Sequence, residues 1–219
     1  MPIREDFQRA RSDREKAARH VEILDAAEAL LLEFGNERFA ISALADKVGV
    51  SKSTIFLYFA SKEELLLALY SRAYRAFFET LRRKLDPGMS GRAFCEAFID
   101  SALANPTGLV LRAHLARTIE RSVSLNSLIT SKQEILDAGL KVAAELENVL
   151  GLERSLSVRL LMGLINLMAG AAQADVQPFI DMEGLPDDVA WLIQVADTRT
   201  AFLSAAEFAF IGATGRPFD

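Results

Sequence analysis

The run Ser53-Thr54-Ile55-Phe56-Leu57-Tyr58-Phe59 sets two hydroxyls beside five consecutive large apolar or aromatic side chains. Successive residues of a helix lie about 100° apart, so no surface helix of a small domain buries all five. Two or three must face outward. With Ile55 toward the core, Phe59 lies about 40° from it and shares its burial. Ser53, Thr54, Phe56 and Leu57 then project to the opposite half. Serine and threonine reach phosphates or base edges, and exposed apolar groups pack on thymine methyls or sugar. Lys52 and Lys62 supply cations for flanking phosphates, while Ser51 and Ser61 stand where helices begin and free N–H groups point outward. The chemistry that this set can do is groove recognition of double-stranded DNA.

Such side chains need a rigid mount, and the surrounding residues provide one. Val21 to Phe34 places Ile23, Leu24, Ala27, Leu30, Leu31 and Phe34 near a 3.6-residue spacing, and Gly35 follows as a stop. Ile41, Leu44, Ala45 and Val48 repeat the pattern over a short second helix that Gly49 ends. Ser51 is a natural N-cap that restarts the chain. Ser61 and Glu64 form a capping box that opens a long helix to Leu85. A lone strand over residues 54–59 has no partner to pair with, so the helical reading wins. Two short helices joined by Gly49-Val50-Ser51 make a helix-turn-helix, whose second helix lies in a major groove.

Beyond Asp86-Pro87-Gly88 the sequence predicts helices near 91–104, 107–123, 126–150, 155–176 and 186–212, with a turn from Gln177-Pro178 through Gly184 and Pro186. The fold class is all-α: an N-terminal arm and head over 1–60, a connecting helix over 61–85, and a larger helical domain over 86–219.

Charge and composition narrow the function. At 219 residues and 51% hydrophobic, the chain can build a proper core. The net charge of −5 argues against non-specific coating of nucleic acid, yet residues 1–85 carry +2 and the remainder −7. The cations crowd the opening arm (Arg4, Arg9, Arg11, Arg14, Lys16, Arg19), read most simply as a solvated tail. A single cysteine, Cys95, excludes an internal disulfide and reads as a small buried hydrophobe. Two histidines leave little for zinc, no nucleotide-binding glycine motif occurs, and neither cofactor nor catalytic set is expected. The longest apolar run, Leu160 to Ala172, is interrupted by Asn166 and too short for a membrane span. A cytoplasmic setting without membrane association is expected.

At these residues the sequence resembles the TetR family of transcriptional regulators. The resemblance runs through Ile23-Leu24-Asp25-Ala26-Ala27, Phe34-Gly35, Leu44 to Lys52, Thr54 to Phe59, and Ser61-Lys62-Glu63-Glu64-Leu65. It implies a homodimer with a DNA-binding head and a C-terminal effector pocket, and it places DNA contacts on Lys52, Thr54, Tyr58 and Lys62. Ser53 stands where the family usually has glycine, and Phe56 where it usually has a phosphate-binding tyrosine. Phe39-Ala40 replaces the common Ser or Thr cap of the second helix, for which Ser42 is a partial substitute.

In the second domain, Phe77, Phe78, Phe94 and Phe98 read first as core, but a helical core enclosing a ligand is lined by such residues and a few polar groups. The candidate lining is Phe94, Phe98, His114, Met162 and Asn166, with Met168 and Gln173 beside them, for a mostly apolar effector of unknown identity. Gly163 and Gly170, with Leu192, Ala196, Leu203 and Phe210, fall where the resembling family forms its dimer interface. The leading expectation is a ligand-responsive regulator, a repressor, on a palindromic operator. The competing one is a helical small-molecule-binding or scaffold protein with a degenerate head.

Overall fold

The computed structural model describes residues 3–174, 181 and 183–219, and within them the chain is helical throughout. The order is α1 (Ile3–Arg38), α2 (Ile41–Val48), α3 (Lys52–Phe56), α4 (Lys62–Arg82), α5 (Gly91–Leu103), α6 (Pro106–His114), a π-helical turn (Leu115–Ile119), α7 (Leu125–Val149), α8 (Arg154–Ala174), α9 (Asp187–Val195) and α10 (Thr198–Thr214). The turn expected at Gln177-Pro178 lies outside the described residues, as do the side chains of Arg4, Arg9 and Arg11.

Local chemistry sets the head. Gly35 takes φ 73°, ψ 169° and breaks α1, and Gly49 closes α2 in the left-handed region with its N–H on the Ala45 and Asp46 carbonyls. Both positions need φ > 0, which glycine adopts without a Cβ clash. Ser51 and Ser61 cap α3 and α4, their hydroxyls accepting from the N–H of Thr54 (3.2 Å) and Glu64 (3.1 Å). Ile23, Leu31, Leu44, Ile55 and Leu65 are fully buried where these helices meet. The arm continues as part of α1 instead of forming a loose tail.

The α4 helix runs from the head into the second domain, where it packs on α5, α6 and α7. There Phe77, Phe94, Phe98 and Phe202 form the core, with Phe98 stacked on Phe202 at 5.4 Å and edge-on to Phe77 at 5.1 Å. At Gly91 a Cβ would sit 2.4 Å from the Phe210 ring, so glycine is what lets α5 approach α10. The α8 helix is long and apolar enough to cross a membrane, at mean hydropathy 1.5, yet Leu160, Leu161, Leu164, Ile165 and Met168 are buried against the body.

Four expectations need correcting. The predicted helix 186–212 is two helices, because Asp197 turns its carboxylate onto the N–H groups of Arg199 and Thr200 and starts α10 afresh. The predicted helix 107–123 leaves α-helical geometry after His114. Phe34 is 46% exposed, outside the head core. The Glu64 carboxylate accepts from the backbone N–H of Ser124 (2.9 Å), so the capping box is made by Ser61 alone.

Candidate functional site

The outer surface of α3 is built by the two residues behind it. Ile55 (0% exposed) and Phe59 (5%) anchor the helix, which turns Phe56 and Leu57 outward, Leu57 to 84% exposure. The Ser51 hydroxyl lies 2.7 Å from that of Ser53 and 2.9 Å from that of Thr54, so the three hydroxyls form a cluster at the start of the helix. Lys52 and Ser53 are exposed, and Thr54 and Tyr58 are half-buried. Tyr58 borders a shallow cleft with Lys16 and Arg19 of α1. Ala40 provides no side-chain cap for α2, and Ser42 lies half-buried in its first turn.

Lys62 is differently placed from the free cation expected of it. Its ammonium donates to the carbonyl oxygens of Phe39 (2.8 Å) and Asn36 (3.4 Å) and lies 5.5 Å from the Phe39 ring centre. These carbonyls belong to the α1–α2 corner. A lysine that satisfies them holds the corner to α4.

The head is fastened to the body through charge. Arg72 on α4 donates to Asp25 (2.6 Å) and Glu28 (2.5 Å) of α1, and Glu28 also accepts from the hydroxyl of buried Thr107 on α6 (2.6 Å). His20 lies tilted against Phe59, ring centres 4.7 Å apart; burial, and then the nearby Arg72 charge, lower its pKa from 6.5.

The candidate effector residues are not brought together. Phe94 and Phe98 are fully buried in the aromatic core, while Met162 is 56% exposed on α8. His114 is half-buried where α6 gives way to the π-helical turn, and Gln173 is exposed. Asn166 is exposed, but its Oδ1 accepts from Arg112 (3.0 Å), and the same guanidinium donates to the Tyr70 hydroxyl (3.1 Å). Tyr74, 3% exposed, borders this group with its ring centre 4.5 Å from that of Tyr70; burial, and then the Tyr70 hydroxyl, push its pKa up. Met168 and Tyr74, with Phe77 and Leu109, line a narrow apolar crevice between α4, α5, α6 and α8. Sequence reasoning passed over Arg112, although a single cation inside Gly108-Leu109-Val110-Leu111-Arg112-Ala113 was the signal.

Of the candidate interface residues, Gly163 and Gly170 are exposed with open space around them, Leu192 is 60% exposed, and Ala196 and Leu203 are half-buried. Phe210 is buried in its own chain against Gly91 and Phe218, because the α5 approach requires its ring there. The outward aromatic of α10 is Phe208, 78% exposed. Cys95 is buried and its pKa is pushed up to about 12 by burial, so the thiol is inert near neutrality.

Comparison with known proteins now decides the family. Residues 23–69 match "Bacterial regulatory proteins, tetR family", and residues 71–178 match "Tetracyclin repressor-like, C-terminal domain". The chain belongs to the TetR family. It is a DNA-binding transcriptional regulator with a helix-turn-helix head and a helical C-terminal domain. The fatty acid metabolism regulator protein of Bacillus subtilis (strain 168) is 24% identical over 160 residues, covering 70% of this chain and 82% of that protein. A TetR transcriptional regulator from Rhodococcus sp. RHA1 shares the fold at TM-score 0.57 and 18% identity, with 90% of this chain and 98% of that one covered. Thermus thermophilus FadR, solved with lauroyl-CoA, does so at TM-score 0.56 and 17% identity, with coverage of 88% and 94%.

Proposed function

We propose that this TetR-family regulator is a homodimeric repressor that binds an inverted-repeat operator and leaves it when a small, mostly apolar effector enters the domain over residues 86–219. One observation supports this most directly. Leu57, 84% exposed beside buried Ile55 and Phe59, gives α3 an apolar tip that its own fold does not use. Lys52, Ser53, Thr54 and Phe56 flank that tip as the other groups offered to DNA. Tyr58 and Ser42 stand at its margins. In a dimer the two α3 helices enter successive major grooves, about 34 Å apart.

The interface of this reading is the exposed stripe of α8 (Met162, Gly163, Gly170) with α10, Leu203 and Phe208 included, and with Leu192 and Ala196 at its edge. The residues over 61–85 form the connecting lever. The start of α4 is held to the head by Lys62, and its later turns wall the apolar crevice with Tyr74 and Phe77. A guest pressing on those turns tilts the head and takes two recognition helices out of register with one duplex. Reciprocity requires operator DNA to weaken effector binding by the same factor, typically about 1–3 kcal/mol. The B. subtilis relative's name and the lauroyl-CoA of the T. thermophilus protein make fatty acyl derivatives the first effectors to try. Function on DNA places the protein in the cytoplasm.

Selection of bound sites from random DNA is the test. An enriched inverted repeat is expected, bound with a log K against log salt slope near −5 if the dimer neutralises about six phosphates. No enriched motif, together with a head that binds all sequences alike, favours the scaffold reading.

A further inference from the structure

The major groove offers a reading helix two kinds of feature: base edges that arginine, lysine, asparagine and glutamine read by hydrogen bonds, and the C5 methyl of thymine, which apolar side chains read by contact. Residues 51–60 contain no arginine, asparagine or glutamine. The nearby lysines are placed away from the tip of α3. Lys52, five residues before Leu57, lies about 140° around the helix from it. Lys62 donates to the carbonyls of Phe39 and Asn36 within the head. Ser53 and Thr54 share the face of Leu57, but their hydroxyls lie 2.7 Å and 2.9 Å from that of Ser51 and bond there. Tyr58 is half-buried and borders the cleft with Lys16 and Arg19.

What remains at the tip is hydrocarbon. Leu57 is 84% exposed and Phe56 47%, while Ile55 and Phe59 behind them are 0% and 5% exposed and hold the turn in place. Phe56 brings a ring with no hydroxyl. An apolar group pressed on a base edge leaves that edge's donors and acceptors without water or partner, which is unfavourable. Pressed on a methyl, it removes hydrocarbon from water on both sides. The tip therefore matches one feature of the groove and mismatches the others.

We infer that Leu57, flanked by Phe56, seats on the C5 methyl of a thymine in each operator half-site, and that this contact chooses the base without a hydrogen bond. The inference rests on the operator reading proposed above and names the base feature that the recognition helix reads. Cytosine methylated at C5 carries the same methyl at the same ring position, so the contact accepts either pyrimidine.

The probe is the duplex that the full-length protein enriches from random DNA. Each thymine is replaced in turn by deoxyuridine, which removes the methyl and keeps every hydrogen-bonding group, and affinity is read by competition with the unmodified duplex. One thymine position per half-site is expected to lose about fourfold, the effect of uncovering one methyl, and about fifteenfold when both half-sites are changed. This series uses wild-type protein and does not depend on how any variant folds. At the sensitive position 5-methylcytosine should bind more tightly than cytosine, each paired with guanine; equal binding of the two overturns the contact. Leu57→Ala should bring the thymine and uracil duplexes to within about 1.5-fold of each other, whereas Lys52→Ala should weaken both alike and keep their ratio. An inverted repeat with no selected thymine, one in which every deoxyuridine change costs less than about twofold, or a thymine preference that survives in Leu57→Ala overturns the methyl contact and leaves the operator reading standing. If random DNA yields no enriched motif, the operator reading and the methyl contact fall together.

Discussion

The tip of α3 and the junction of α6 with α8 treat their side chains in opposite ways: Leu57 is left almost entirely to solvent, whereas Arg112 is tied to Tyr70 and Asn166. Leu57 stands bare on the outside of a convex helix, where an apolar side chain in water costs nothing beyond what the unfolded chain already bears. Arg112 lies half inside, where its guanidinium donates to the Tyr70 hydroxyl and the Asn166 amide oxygen and the Glu120 charge acts on it. The head is therefore complete before DNA arrives and can dock as a rigid body. The body is held together by buried side-chain contacts, and a ligand would shift its conformation only through differential affinity for two states.

The widest separation between core and surface is expected from paired truncations. Phe98→Ala should lower stability to urea by about 3–5 kcal/mol, since it empties the stack with Phe202. Leu57→Ala should leave the urea midpoint within about 0.5 kcal/mol of wild type. A comparable loss from Leu57→Ala would mean that the tip of α3 is part of the fold and would dissolve the contrast. On operator DNA the order reverses. Leu57→Ala or Thr54→Ala should cost roughly 1–3 kcal/mol, concentrated at particular base pairs, in competition assays with single-base variants. Phe98→Ala should act there only through the folded fraction.

Lys62 tests where the head ends and the DNA begins. Because its ammonium satisfies two carbonyls of the α1–α2 corner, Lys62→Met should cost about 1–2 kcal/mol of stability and leave the slope of log K against log salt unchanged. A slope shallower by about one per head would return this lysine to the phosphate backbone.

The smallest effect is a pH dependence. The folded-state pKa of His20 lies below 6.5, so the unfolded chain binds the proton more readily. Stability is whole above pH 6.5 and declines as pH falls through that value. His20→Gln should flatten this part of the profile, seen as a smaller difference in urea midpoint between about pH 7.5 and about pH 5.5. An unchanged profile would place the acid sensitivity elsewhere.

How far the sequence carries differs between the same two regions. In the head, Gly35, Gly49, Ser51 and Ser61 act on their immediate neighbours, and a local rule reads them correctly. Glu64 spells a capping box in its own segment, but a backbone N–H 60 residues away takes the carboxylate, which no local rule shows. In the body, the choice between Phe208 and Phe210 as the outward ring depends on which face of α10 meets α5, and that was decided by the missing Cβ of Gly91. The break between α9 and α10 was legible in Asp197-Thr198, a cap that apolar periodicity on both sides concealed. Phe94 and Phe98 looked alike as core or lining because burial and enclosure demand the same residue type.

The shared carboxylate of Glu28 has a consequence in time. Its bond to Arg72 closes over 44 residues and its bond to Thr107 over 79, so a chain made from the N-terminus has the whole head outside the ribosome before either partner of Glu28 is in place. The head helices can assemble early around Leu44 and Ile55, yet their orientation is fixed only when α6 arrives. A nascent chain with only the head outside the ribosome exposes a reading helix that no bond to α6 yet directs, and its aim is set only once Thr107, about halfway along the 219 residues, has emerged.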